Sequence, residues 1–401
     1  MLKHTLVATA ACLTCAGAWA DVTLYGIADA GITSVSGYAQ GRVTQVSSGI
    51  MEGSRWGIKA NEDMGGGYKA LVTLESRVEL GNGGVSNRPT SGNQLPDRFT
   101  AGMIPAVAGA TAAAVGPQLG VNHLNNTLFD RQAYLGLVTP VGGFLMGRQY
   151  TPAFEAMATF DIMGTQSALS AGQVASAPAG VDIRQNDAFQ YRMVLGPWNA
   201  AFMYSLGAGG SAGRLMGLNG MYKTADFSVG FGHNTKKNSA GQQALRTTVL
   251  GASATRGVWT LSGMVAQIEE PNPSSGPELA SGLTAASAQL VPFIPLILDR
   301  LKQDANLMHI GLRYNMGAAG HVSVAYTKLN DKRASNADTA SYGVAYTYPL
   351  SKRTNLNAVV TRFVNSGTGQ AAPGGNGYLG GVTGAAGRDA TSIALGIRHV
   401  F

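Results

Sequence analysis

Histidine and arginine are the side chains of this sequence with the clearest capacity for chemistry. His233, His309 and His321 could each serve as a base for a nucleophile, but no recognised catalytic motif surrounds them. His309 and His321 also share the polar register of two neighbouring strand patterns with Arg313, which admits a metal or proton-switch site. The simpler interpretation is that these three side chains lie on a solvated face and form no metal or proton-switch site. The sequence therefore predicts no enzyme, no metal site and no cofactor.

The elements that position these side chains are read most easily from the carboxy-terminal segment 391–401. Every second residue is apolar or aromatic, and the residues between them are mostly small or polar. A two-residue period predicts a β-strand with one apolar and one wet face. His399 lies in the apolar register, where a polar ring suits a membrane interface. The apolar register comprises Ile393, Leu395, Ile397, His399 and Phe401.

Similar strand patterns recur along the chain. Sixteen of them are recognised, separated alternately by tight turns and by longer polar or glycine-rich segments, which is the pattern of an outer-membrane barrel. Counts of fourteen or eighteen are the alternatives, because the strands of the first half alternate poorly. The tight turns include Asp63 to Gly67 and Ser351 to Thr354. Outside residues 1–20 no stretch reaches the ~18 apolar residues of a membrane helix. The strands are expected to begin near residues 22, 54, 67, 129, 143, 184, 198, 213, 226, 244, 257, 305, 320, 338, 353 and 388.

The amino-terminal segment 1–20 has the composition of a cleaved signal peptide. Lys3 precedes an apolar run too short to span a bilayer, and Ala18-Trp19-Ala20 fits a small-x-small cleavage site. Both cysteines of the chain lie in this segment, so the predicted mature domain, 21–401, uses no disulfide. The sequence predicts an exported single-domain protein.

Net charge and composition narrow the choice of partner. The chain carries a formal charge of +7 and has no dense Lys/Arg run. A basic stripe interleaved with aromatic residues is absent from the sequence, so nucleic acid is not expected as a partner. The 55 glycines disfavour a helical protein, because each costs about 1 kcal/mol relative to alanine in a helix.

Three segments are too long to be turns: 81–128, 151–182 and 271–304. The last contains the apolar run LVPFIPLIL, which could pack on a neighbouring element or fill part of a lumen. In 28–31 and 131–137 both strand faces hold small or apolar residues, as expected of a subunit contact.

Several blocks together resemble the trimeric general porins of the neisserial and burkholderial type. They lie in the expected order from the predicted mature start to the last residue. The segments that carry the resemblance are VTLYGIADAG (22–31), GSRWGIKANEDMGGGYKALVTLES (53–76), FDRQAYLGL (129–137), GRQYTPAFEAMATFDIMG (147–164), LSKRTNLNA (350–358) and GIRHVF (396–401).

The resemblance implies an all-β fold: a transmembrane antiparallel β-barrel of 16 strands with long external loops, one of them folded into the lumen. It also implies a homotrimer in the Gram-negative outer membrane that passes small hydrophilic solutes and ions passively. The terminal strand, ending at Phe401, would close the barrel and be recognised by the barrel-assembly machinery.

The resemblance further implies which residues line the narrowest part of the pore. Arg55, Arg131 and Arg184 would form a basic cluster on the barrel wall, with Arg77 and Arg148 at its fringe. The inward loop would oppose them with the acidic residues Glu155 and Asp161. Arginine is charged at every relevant pH, so such a cluster favours anions. Each arginine could equally be an ordinary paired lumen residue.

Other functions compatible with the sequence are a substrate-specific channel for a carboxylate or a sugar, and a non-conducting structural barrel or adhesin. An outer-membrane enzyme would need a nucleophile with a positioned base, which the sequence does not display.

Overall fold

The computed structural model describes residues 21–85, 89–119, 127–164, 167–175, 180–207, 213–286, 288–374 and 380–401. The predicted signal peptide, residues 1–20, lies outside the described residues. Among the described residues no helix combines the length and apolarity needed to cross a membrane.

Sixteen antiparallel strands form a closed ring. Each begins within three residues of its predicted start. A further short strand, β2, pairs with the outer part of β1 and was not predicted. The ring strands are β1 (Asp21–Tyr38), β3 (Arg55–Gly65), β4 (Tyr68–Arg77), β5 (Gln132–Thr139), β6 (Gly142–Tyr150), β7 (Arg184–Leu195), β8 (Trp198–Ser205), β9 (Leu215–Lys223), β10 (Phe227–Lys237), β11 (Gln243–Arg256), β12 (Trp259–Glu270), β13 (Gln303–Asn315), β14 (His321–Asp331), β15 (Thr339–Pro349), β16 (Thr354–Asn365) and β19 (Ala390–Val400); β2 is Gly41–Ser48.

The carboxy-terminal strand closes this ring, as predicted. β19 pairs with β16 on one side and with β1 on the other, from Ile27↔Val400 to Ser36↔Thr391. Phe401 and Gly26 exchange two backbone hydrogen bonds of 3.0 Å. No edge is left, so every strand finds a backbone partner within the sheet.

The outer face of the barrel is apolar, because the strands alternate as predicted. Leu24 and Leu395 are 63% and 62% exposed, whereas lumen-register neighbours such as Asp29 and Ser392 are buried. Aromatic pairs lie at the end of the barrel that carries the tight turns, where the tilted rings of Trp259 and Tyr314 pack with 4.5 Å between their centroids. This arrangement is typical of an interfacial girdle.

The tight turns depend on glycine. Gly65, Gly66 and Gly67 follow one another with φ of 79°, 62° and 84°, the left-handed region that side chains disfavour. The hairpin between β3 and β4 therefore closes in few residues.

The opposite end, here called the loop end, carries a helical cap. It consists of α1 (Pro105–Leu119), between β4 and β5, with α4 (Gly276–Ala286) and α5 (Ile294–Leu301), between β12 and β13. In the ring these two connections are eight strands apart, half the circumference. The cap thus joins opposite sides of the barrel. The apolar run LVPFIPLIL contributes Leu290 and Ile297 to the buried core of this cap.

A small hydrophobic core holds the cap together. Val115, Leu279, Leu283 and Ile297 are almost completely buried in it. The Arg300 guanidinium donates to the carbonyl oxygens of Phe99 (3.0 Å) and Ala101 (2.6 Å). The loop that contains β17 (Ala371–Ala372) and β18 (Gly381–Val382) joins the same assembly, since Gln94 donates to Thr383 O at 2.8 Å.

The long connection between β6 and β7, here called the inward segment, runs along the inner face of the barrel. It contains α2 (Pro152–Phe160) and α3 (Ala171–Ala175). Thr151 caps α2 by accepting a hydrogen bond from Phe154 N, and Pro152 occupies its first turn. The Ser262 hydroxyl donates to Phe160 O at 2.7 Å, and Asn219 donates to Pro152 O at 3.3 Å. The segment therefore lies against β9 to β13.

Candidate pore constriction

Glu75 is the centre of a charged cluster on the inner face of β1 and β3 to β5. Its Oε1 accepts a 2.7 Å hydrogen bond from Arg131 Nε, and its Oε2 accepts one of 3.1 Å from the Tyr25 hydroxyl. Arg55 Nε lies 3.7 Å from the same Oε2. One buried carboxylate thus holds two guanidinium groups from neighbouring strands.

Tyr150, the last residue of β6, is a second centre. Its hydroxyl accepts hydrogen bonds from Arg131 Nη2 (2.9 Å) and Arg184 Nη2 (3.0 Å). The Arg184 guanidinium also lies over the Tyr150 ring, 4.6 Å from its centroid. The ring itself stacks on Phe154 of the inward segment at 5.3 Å. Tyr150 therefore connects the charged cluster to the inward segment.

Arg77 and Arg148 surround Asp130 beside this cluster. Asp130 accepts from Arg77 N at 2.8 Å and lies 3.4 Å from Arg77 Nε. Arg148 Nε donates to Asp130 O at 2.6 Å, and its Nη1 donates to Asn186. Just beyond β4, burial raises the pKa of Glu79 to about 7, with Asp130 adding to the shift and Arg77 opposing it.

The structure brings all five predicted basic residues together on one side of the barrel. They come from β3, β4, β6, β7 and the residue before β5, and they are called the arginine wall below. Arg131 is 3% exposed and Arg77 7%, while Arg184 is half-buried. Glu75, Asp130, Glu52 and Glu79 provide four carboxylates against these five guanidinium groups, and Glu52 also pairs with Arg398, so the wall keeps a small cationic excess. Its members are Arg55, Arg77, Arg131, Arg148 and Arg184.

Glu155, which was predicted to face the basic cluster across the pore, has another partner. It lies in the first turn of α2 and forms an ion pair with Arg192 of β7. Asn219 donates to its Oε2 at 3.0 Å. The carboxylate is held near the strands that the inward segment contacts.

Asp161 differs more from its expected place, because its side chain is fully buried. It accepts hydrogen bonds from Met163 N (2.8 Å) and Ala171 N (2.9 Å), and its Oδ1 lies 3.4 Å from His309 Nε2. These contacts fold the inward segment upon itself and attach it to β13. Since the carboxylate has no exposed surface, it cannot touch a passing solute.

His309 is also buried rather than solvated, which corrects the simple wet-face interpretation for this residue. Its Nδ1 lies 2.8 Å from Thr327 Oγ1, and its Nε2 lies 3.3 Å from Ile162 N. Arg313 donates to Ile162 O. No group of three or more potential metal ligands occurs within the ranges that the structure describes.

Sequence reasoning missed the acids and the tyrosine that organise the arginine wall. Glu75 stands two residues from both Thr73 and Arg77, so strand alternation alone would have placed it in the lumen register. Tyr150 directly follows the GRQ motif, but no sequence pattern indicated that its hydroxyl would hold two arginines. Glu52, which pairs with both Arg55 and Arg398, lies in a turn that the pattern did not resolve.

Comparisons with known proteins agree with this architecture. The sequence profile of the family described as Gram-negative porin matches residues 7–368. Outer membrane porin protein 32 of Delftia acidovorans is 26% identical over 422 residues, covering 100% of both chains. An outer membrane porin protein of Bordetella pertussis is 26% identical, covering 89% of this chain and 93% of its own.

Solved structures share the fold. A structure described as an anion-selective porin from Comamonas acidovorans superposes with a TM-score of 0.71 at 22% identity, covering 96% of this chain and 100% of that one. The trimer form of OmpT from Vibrio cholerae gives a TM-score of 0.59 at 14% identity, covering 95% and 99%.

A closed 16-stranded barrel with an apolar outside and a charged, partly filled inside defines the class of outer-membrane channel proteins. The chain belongs to the Gram-negative porin family. It is an outer-membrane porin, and both the family and the fold are those of channels.

Proposed function

We propose that this porin is a general diffusion channel that passes small hydrophilic solutes and ions and prefers anions. The observation that carries the proposal is the arginine wall, where five guanidinium groups share one side of the lumen with four carboxylates. Field lines concentrate in a narrow aqueous passage between low-dielectric walls, so the excess positive charge acts on a passing ion. The name of the Comamonas neighbour, an anion-selective porin, is consistent with this preference.

The arginines suit this task because their pairing fixes them without neutralising them all. Arg131 is held by Glu75 and Tyr150, and Arg184 rests on the Tyr150 ring. A guanidinium fixed in this way cannot swing into the passage, and its charge persists at every relevant pH. A diffusion channel needs no further chemistry.

Homotrimer formation is part of the proposal. The outer face of β1 presents the small residues Ala28 and Ala30, and small residues allow a close approach of another barrel. The strands β12 and β13, by contrast, carry outward aromatic residues that suit lipid. We also propose that the β19 strand ending at Phe401 is the signal read by the barrel-assembly machinery.

Reversal potentials in a KCl gradient test the proposed preference. In the double variant Arg55→Gln/Arg184→Gln the chloride preference should fall between about 3-fold and 10-fold, since a unit charge ~6 Å from an ion in water contributes about 0.7 kcal/mol. Arg353→Gln, in an exposed turn, is the control and should leave selectivity unchanged.

The same recordings separate the alternatives. If the wild-type porin prefers cations, the proposed anion preference is wrong, but the proposal of a diffusion channel still stands. Saturable block by one carboxylate or sugar would favour a substrate-specific channel. The absence of any current would favour a structural barrel.

A further inference from the structure

A cavity of about 550 Å³ lies between the cap and the barrel wall at the loop end. We call it the cap vestibule. Residues 273–275, Glu278 and Leu301 of the cap region line one side of it, and the outer ends of β6, β7, β10 and β12 line the other. Its volume is in the range of small-molecule sites.

The vestibule wall carries both signs of charge in equal number. Arg148, Arg184 and Lys236 provide three cationic groups, and the three acids are Asp182, Glu270 and Glu278. Some of these charges are already paired: Lys236 Nζ lies 2.8 Å from Asp182 Oδ1, and Glu270 Oε1 accepts from Ser274 N at 2.6 Å. A simple anion would face the carboxylates at short range, and a simple cation would face the guanidinium groups.

Two buried polar atoms in this wall have no hydrogen-bond partner among the described residues. They are the donor Arg184 Nε and the acceptor Asp182 Oδ2. Buried polar groups without partners are costly, so a site that gathers a donor and an acceptor favours a ligand that offers both. Asp182 lies just before β7 and Arg184 is its first residue, and both line the cavity.

We infer that the cap vestibule binds small zwitterions, such as an amino acid or a short peptide, before they reach the arginine wall. The carboxylate of the ligand lies toward Arg148 and Arg184, and its ammonium group toward Asp182 and Glu278. Because Arg184 belongs to both places, a solute held here already lies beside the constriction. The inference rests on the proposed channel function for its transport role, but binding itself does not require conduction.

The experiment uses the purified full-length porin in planar bilayers at 0.1 M KCl, where charge effects are incompletely screened. Triglycine is the probe, with potassium acetate and ethylammonium chloride as single-charge controls. Triglycine should reduce the current saturably, and neither control should do so at the same concentration. Calorimetric titration of triglycine into the detergent-solubilised protein gives a second readout that needs no current.

Variants locate the effect. Glu278→Gln, at the exposed start of α4, should raise the half-blocking concentration and the calorimetric Kd at least about 3-fold, the effect of ~0.7 kcal/mol. The double variant Asp182→Asn/Lys236→Met removes one acid and one base together and should weaken binding in the same direction. Asp226→Asn, in an exposed tight turn at the other end of the barrel, is the matched control.

The outcomes are separable. A conducting channel that triglycine neither blocks nor binds, or equal affinities for the Glu278→Gln and Asp226→Asn variants, would overturn the vestibule and leave the porin function intact. Triglycine binding without conductance would support the vestibule and overturn the channel proposal.

Discussion

The arginine wall and the opposite wall of the barrel, which the inward segment covers, differ in the size and charge of their side chains. The arginine wall uses long charged side chains that hold one another through Glu75 and Tyr150. The covered wall uses glycine: a Cβ on Gly251 would lie 2.3 Å from Phe160, and one on Gly311 would lie 2.2 Å from Ile162. Small residues on one side thus let the inward segment lie close against the sheet. Room for water then remains on the charged side.

Both walls therefore shape the passage. Removing a charge should alter what passes, whereas adding volume beneath the inward segment should alter how much passes. Two substitutions and a pH change distinguish the two walls experimentally.

Glu75→Gln should have the largest effect, because it removes the carboxylate that holds Arg131 and Arg55. Breaking a buried ion pair costs about 3–5 kcal/mol, so the free energy of unfolding should fall by that order. The wall also loses one negative charge, so the surviving folded channels should prefer anions more strongly. Unfolding in detergent, followed by gel mobility, and reversal potentials measure the two effects.

Glu62→Gln on β3 is the control for this change, since it removes a carboxylate outside the arginine wall. If Glu75→Gln and Glu62→Gln lower the free energy of unfolding by the same amount, Glu75 does not organise the arginine wall.

Gly251→Val should have an intermediate effect, because the added carbons meet Phe160. Overpacking costs about 1–3 kcal/mol and should push the inward segment toward the arginine wall. Single-channel conductance should fall while the sign of the ion preference is kept. Ala252→Val adds similar volume on the outer face of the same strand and should leave conductance unchanged. Unaltered conductance in Gly251→Val would show that the segment does not bound the passage.

A pH change should have the smallest effect. Because the pKa of Glu79 is raised to about 7 by burial, this side chain gains a proton between pH 8 and pH 6. The loss of its negative charge beside Arg77 should increase the anion preference by at most about 3-fold. Glu79→Gln should abolish this change, and persistence of the pH dependence in that variant would assign it elsewhere.

The same shift has a consequence for stability. The acid is more easily protonated when folded than when unfolded, so its contribution to stability is greatest at low pH. That contribution is lost as the pH rises from about 4.5 through 7.

Much of the barrel could be predicted from the sequence, because strand alternation against lipid is a local property. The terminal strand and its apolar register followed from 391–401 alone. The grouping of Arg55, Arg131 and Arg184 at a constriction came from the resemblance and stays a prediction; in the structure the three share Glu75 and Tyr150 as partners. Neither route indicated that Asp161 would be buried, since its partners Ala171 and His309 are brought to it only by the folded inward segment.

For the strands that alternate clearly, such as 391–401, the amino-acid sequence alone fixes which residues face lipid and which face the lumen, because side chains on a strand point to opposite faces in turn. It also determined that the chain has turn glycines at one end and long connections at the other. Only the tertiary structure decided that the connections at 105–119 and 276–301 meet over the opening, and that Glu75 and Tyr150 hold the arginines. Such contacts join residues far apart in the chain, and their free energy arises from burial and pairing that no local pattern encodes.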